Sequence, residues 1–144
     1  MLIQRVRTFL QLVAIAHIVG GLLLPFVINT QLFEVYNAGL YAAIRAGSAD
    51  AQSQARFFIG LFGPTIASWG ILFWYVLTTS FKAPSARSWW VMVLAVIVWA
   101  PYDSLLSLWH GIQANAWVDL AVTAVILIPL LLVKKHFFDP NSQK

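Results

Sequence analysis

The chain lacks cysteine altogether, and charged residues make up only 10% of its 144 residues. Without thiols it cannot hold an Fe–S cluster or a thiolate metal site, and it cannot carry out the thiol–disulfide chemistry of quinone-linked membrane enzymes. Soluble domains carry about 25% charged residues, whereas 60% of this chain is hydrophobic. The composition therefore predicts a membrane protein, and the length predicts a single domain, 1–144.

Four long apolar segments are separated by polar connections. Each segment is close to the roughly 20 residues that a helix needs to cross a bilayer. The segments cover residues 9–28, 57–77, 89–109 and 117–133. Because two of the three connections are short, neighbouring helices should run antiparallel. The sequence thus predicts an all-α, integral membrane four-helix bundle with up-down-up-down topology.

The nine Lys and Arg residues predict the orientation of this bundle. They flank apolar segments instead of forming a patch, so we expect no nucleic-acid partner. Arg45 and Arg56 lie on one side of the predicted spans. The other seven lie on the opposite side: Arg5, Arg7, Lys82, Arg87, Lys134, Lys135 and Lys144. Since basic loops stay inside, both termini should be cytoplasmic and the protein should lie in the plasma membrane, or the inner membrane of a Gram-negative cell.

The first outer loop, residues 30–55, is long enough to hold structure of its own. Leu32, Tyr36, Leu40 and Ile44 recur every four residues, which is the spacing of an apolar stripe on a helix. We predict a short amphipathic helix at the outer end of the bundle. The polar residues that follow should form a turn, with Ser53 as the N-cap of the second span.

Proline and glycine have regular places in the spans. Each span contains one proline: Pro25, Pro64, Pro101 and Pro129. The first three should lie in the outer half, where bent helices would separate and leave a cavity. The second span also carries a face of small residues, Gly60, Gly63, Ala67 and Gly70, which is typical of close helix packing in membranes.

A polar stripe lies near the outer end of the third span. Asp103, Ser107 and His110 are spaced i, i+4 and i+7, so they share one helix face. Asp103 is fourteen residues beyond Trp89, about 21 Å along the axis, and still within a hydrocarbon core about 30 Å thick. An ionisable group at that depth is costly unless it faces the protein interior and has a partner. We expect His17 to pair with Asp103, directly or through water.

These groups predict a polar pocket that opens outward between the first, third and fourth spans. It would bind a small molecule or a lipid. The candidate ligand-binding residues are His17, Arg56, Tyr102, Asp103, Ser107, His110 and Asp119. We expect no catalytic residue and no metal or other cofactor. The histidines lack metal-ligand spacing, and His17 and His110 lie about 16 Å apart along the bundle, too far apart to hold a haem between them.

Other interpretations of the same residues stay open. His17 would then bond across a helix interface, Asp119 would interact with a helix dipole, and His110 would be solvated. The protein would be a non-catalytic subunit of a larger membrane complex, or a membrane enzyme acting on a lipid at the outer interface. The expected partners are membrane lipid and either a second copy of the chain or a larger complex.

Reporter fusions test the predicted topology. Fusions at Ser85 and Ser142 should report a cytoplasmic location and a fusion at Ser48 an external one, because the basic residues lie on the side of Ser85. An external signal at Ser85 would contradict the whole layout.

Overall fold

The computed structural model describes residues 1–139 as helices joined by short turns. The tail, residues 140–144, with Ser142 and Lys144, lies outside the described residues. Four helices are long: α1 (Leu2–Val27), α3 (Ala49–Lys82), α4 (Ala86–Trp109) and α5 (Gln113–Leu132). Two are short, α2 (Glu34–Ala43) after a 3-10 turn and α6 (Lys134–Phe138). The described part contains no strand, and the all-helical prediction is confirmed.

All four long helices are long and apolar enough to cross a bilayer, which is compatible with a membrane location. They extend beyond the predicted apolar segments at their polar ends. The predicted turn before the second span is wrong, because α3 begins at Ala49, two turns before Phe57. Its N-cap is Ser48, whose hydroxyl accepts a hydrogen bond from the backbone N–H of Ala51 at 3.2 Å, and not Ser53. Asp50 in the first turn also favours this start, because a negative charge interacts well with a helix N-terminus.

Helices α1 and α3 pack backbone against backbone in antiparallel order. A Cβ atom added at Gly21 would lie 2.5 Å from the backbone of Gly63 and Ala67, and one added at Gly70 would lie 3.0 Å from the Ala14 carbonyl oxygen. Neither position has space for a side chain. The predicted small-residue face of α3 is therefore the surface that contacts α1, which is the usual role of such faces in membrane bundles.

Helices α4 and α5 form the second antiparallel pair. Ser85 and Ser88 form a capping box that begins α4. Its other end is a Schellman motif, in which the Ile112 N–H bonds the Ser107 carbonyl at 2.8 Å and Gly111 takes a φ of 77° that favours glycine. The Trp89 indole donates to the Leu130 carbonyl across the pair at 2.9 Å. The Schellman motif joins the end of α4 to the start of α5, and the Trp89 bond joins the start of α4 to the end of α5. Helix α5 therefore returns alongside α4.

The helix predicted between the first two spans is present as α2. Asn37 is buried, and its amide donates to the carbonyl of Ile28, the C-cap of α1, at 2.7 Å. The α2 helix lies against α3 and α5. We call this end of the bundle, where α1 and α4 finish and α3 and α5 begin, the α2 end.

The contact between α1 and α3 predicts opposite effects for two neighbouring glycines. Gly21→Ala should destabilise the protein by about 1–3 kcal/mol, the usual cost of overpacking a close contact. Gly20→Ala should leave stability unchanged or raise it by up to about 1 kcal/mol, because a Cβ atom there meets nothing within 4 Å. Unfolding in mild detergent measures both. Equal losses for the two variants would show that the helices do not meet at Gly21.

Candidate functional site

The polar groups of the spans meet between α4 and α5 at the α2 end. The Schellman motif turns the chain back after α4, so that the first two turns of α5 lie beside the last two turns of α4. Ser107 and Asp119 are buried there, with Asp119 only 2% exposed, while Asp103, Ser104 and Asn115 are half-buried. We call these five residues the polar cluster.

Hydrogen bonds connect the members of the polar cluster. The amide of Asn115 donates to the Ser107 hydroxyl at 2.8 Å and, in a longer contact of 3.4 Å, to the Asp103 carboxylate. The Ser104 hydroxyl donates to the Asp119 carboxylate at 3.1 Å. Three side chains of α4 are thus joined to two of α5. Hydrogen bonds between helices are a common contact in membrane bundles, where they contribute about 0.6 kcal/mol each on average.

The two carboxyl groups face each other across the helix pair. Asp103 and Asp119 lie close enough for the charge of one to act on the other. Within residues 1–139, neither of them has a Lys, Arg or His partner. Because two neighbouring carboxylates cannot both stay charged in a dry environment without a compensating positive charge, this pair is suited to holding a proton or a cation between its oxygens.

Tyr36 brings α2 to the polar cluster. This half-buried side chain has a raised pKa, caused first by burial and then by the negative charges of Asp103 and Asp119. The electrostatic effect of both carboxylates on one phenol indicates that α2 lies over the acidic pair. The next residue, Asn37, has a buried side-chain oxygen with no hydrogen-bond partner.

The other sequence-predicted site residues lie apart from this cluster. Tyr102 is 68% exposed on the outer surface of α4, and His110 is exposed at its end. The His17 ring bonds the carbonyl of Val13, one turn back in α1, at 2.8 Å and lies 4.9 Å from the Trp69 ring of α3. The expected direct contact between His17 and Asp103 is absent, because His17 faces α3 and Asp103 faces α5.

Arg56 lies at the same end of the bundle but in different surroundings. Its guanidinium donates to the Tyr41 hydroxyl at 2.6 Å and stands 5.8 Å from the centre of that ring. Of the seven predicted residues, the structure therefore brings Asp103, Ser107 and Asp119 together. His17, Arg56, Tyr102 and His110 are elsewhere.

Sequence reasoning missed Asn115. The apolar pattern begins the fourth span at residue 117 and so places Asn115 in a connection, whereas α5 begins at Gln113. Its spacing of four residues from Asp119 would have placed both on one face if the helix had been extended by one turn. Thr123 lies one turn further along the same face, and its buried hydroxyl has no hydrogen-bond partner.

No group of three or more His, Asp or Glu side chains within the described chain is arranged to hold a metal ion. Comparison with known proteins gives no likeness from which to transfer a role: no family model, no curated protein and no solved structure matches the chain. The geometry of the polar cluster is therefore the basis for any functional argument.

The charges beneath α2 predict the titration of Tyr36. In the folded protein its midpoint should lie above the ordinary tyrosine value of about 10, and Asp103→Asn should lower it partway, since burial is the larger cause. Because folding raises this pKa, the contribution of Tyr36 to the free energy of unfolding should be fully present below the ordinary tyrosine pKa. It should be lost as the pH rises through the pKa of the folded protein. NMR of ring-labelled tyrosine, with Tyr36→Phe for assignment, measures it.

Asp50→Asn is the matched control for this titration. Asp50 is exposed in the first turn of α3, at the same end of the bundle, and its removal changes the net charge equally. An equal shift of the Tyr36 midpoint in both aspartate variants would mean that α2 does not lie over the polar cluster.

Proposed function

We propose that this multi-pass membrane protein binds a small molecule at the polar cluster and that the recognised group is a primary ammonium. The observation that carries the proposal is the pair formed by Asp103 and Asp119, which has no basic partner among residues 1–139. Asp119 is buried and Asp103 is half-buried, and two carboxylates in such surroundings need a positive charge. Since no side chain of the described residues provides it, a proton or a ligand must.

The hydrogen-bonding groups favour an ammonium ligand. An ammonium group offers three N–H donors and no acceptor, and the polar cluster offers two carboxylates that can accept them. Asn37 of α2 and Thr123 of α5 also have buried side-chain oxygens without a hydrogen-bond partner among the described residues. A proton would occupy the same pair when the ligand is absent, so we expect ligand and proton to compete.

The proposed site faces the outside of the cell. In a plasma membrane, or the inner membrane of a Gram-negative cell, the seven-to-two distribution of Lys and Arg supports cytoplasmic termini. The α2 end, which carries Arg45 and Arg56, would then be external. Exposed tryptophans at this end, Trp109 and Trp117, support its placement at a membrane interface, because indoles favour both interfaces. Membrane lipid is the expected partner of the apolar surface.

The alternative functions have less support. An assembly subunit would expose apolar helix faces, but contact with lipid requires the same faces. A lipid hydrolase would need a base beside its serine, yet Ser107 receives its hydrogen bond from Asn115. The exposed His110 has no hydrogen bond to Ser107 in the part of the chain that the structure describes.

Calorimetric titration with benzylamine tests the proposal in mild detergent, with benzyl alcohol as the neutral analogue of the same shape. The wild-type protein should bind the amine saturably and should not bind the alcohol. Asp103→Asn and Asp119→Asn should each weaken binding about 10- to 100-fold, since a hydrogen bond to a charged group contributes about 1.5–3 kcal/mol. Thermal stability should change little.

The control again is Asp50→Asn, which should bind benzylamine as the wild type does. Binding should also weaken as the pH falls, because protons compete for the acidic pair. Equal binding of the amine and the alcohol, or unchanged binding after both cluster substitutions, would contradict the proposal.

A further inference from the structure

A second feature of the α2 end is a groove between α1 and α3, separate from the polar cluster. Its volume is about 330 Å³. Asn29, Ser53 and Arg56 form a polar rim, and Pro25, Gly60 and Pro64 line the apolar part below it. The groove lies beside Pro25 of α1 and Pro64 of α3.

The floor of the groove depends on Gly60. A Cβ atom built there would be 3.5 Å from the Cα atom of Pro25, which is ordinary van der Waals contact. Alanine would therefore be tolerated, but a larger side chain would extend into the groove. The absence of a side chain at this position leaves the space open.

Arg56 provides an unneutralised positive charge at the rim. It is half-buried, and the Tyr41 hydroxyl is the one hydrogen-bond acceptor that the described residues offer it. A guanidinium carries five N–H donors, so most of its donors stay available. Among residues 1–139, no carboxylate lines the groove, and the rim therefore favours an anion.

The position of the groove along α3 matches a membrane interface. The 34 residues of α3 extend about 51 Å, well beyond a hydrocarbon core of about 30 Å. Its first two turns are polar, and the apolar segment begins at Phe57, immediately after Arg56. The rim thus lies at the level of lipid headgroups, and the floor continues about 12 Å into the apolar segment as far as Pro64.

We propose that this groove binds one anionic phospholipid. Its phosphate would accept hydrogen bonds from the Arg56 guanidinium, with Ser53 and Asn29 as further donors. One acyl chain would pass over Gly60 between Pro25 and Pro64. Arginine suits this role because its planar donors match two phosphate oxygens at once. The groove does not involve Asp103 or Asp119, so this proposal can be correct even if the ammonium proposal is wrong.

Native mass spectrometry of the detergent-solubilised full chain tests the proposal. The probes are dioleoyl phosphatidylglycerol, dioleoyl phosphatidylcholine and glycerol phosphate, which is a soluble headgroup without chains. The wild-type protein should bind phosphatidylglycerol about tenfold more tightly than phosphatidylcholine, and glycerol phosphate at equal concentration should not displace it. Equal affinity for the two lipids would overturn the proposal, and displacement by glycerol phosphate would identify a soluble phosphate as the ligand instead.

Variants locate the site. Arg56→Gln should remove the tenfold preference, whereas Arg45→Gln, an equal charge loss at an exposed position of the same end, should retain it. Gly60→Leu should weaken both lipids by filling the groove, while Gly60→Ala should bind as the wild type does. A preference that survives Arg56→Gln, or lipid binding unaffected by Gly60→Leu, would place the lipid elsewhere and overturn the proposal.

Discussion

The constraint on which this structure depends is that polar groups in an apolar environment must be paired within the chain. Helices pair most backbone groups, and the remaining ones determine how helices meet. Asn37 bonds the Ile28 carbonyl at the end of α1, and Trp89 bonds the Leu130 carbonyl near the end of α5. Both contacts join separate elements, so the same constraint attaches α2 to the bundle and aligns α4 with α5.

The two helix pairs satisfy this constraint in different ways. Helices α1 and α3 meet through the absence of side chains at Gly21, Gly63 and Gly70, so that their backbones come close together there. Helices α4 and α5 instead place five polar side chains between them at the α2 end. The second pair therefore carries the proposed ammonium site, whereas the first pair has a groove where Gly60 lies beside Pro25.

The sequence predicted the elements better than their rotation about the helix axis. Apolar length located the four long helices, and the four-residue repeat located α2. The i, i+4 spacing placed Asp103 and Ser107 on one face of α4, and both contact Asn115 of α5. The side to which each residue turns depends on which helix faces pack, and a single sequence does not contain that information. For this reason His17 was expected beside Asp103, although it contacts Trp69. Asn115 and the start of α3 were missed because polar helical turns outside the apolar segments resemble loops.

The central claim is that the acidic pair is enclosed between α4 and α5 while the opposite face of α4 meets lipid. Because the chain has no native cysteine, single cysteines at residues 100 to 109 can each carry a nitroxide label without background. In lipid vesicles, collision with oxygen should follow a helical period, with maxima at Tyr102, Leu105 and Trp109, which are exposed, and minima at the buried Ala100 and Ser107. Maxima at Ala100 and Ser107, or uniform access to a water-soluble relaxant along the segment, would contradict the account.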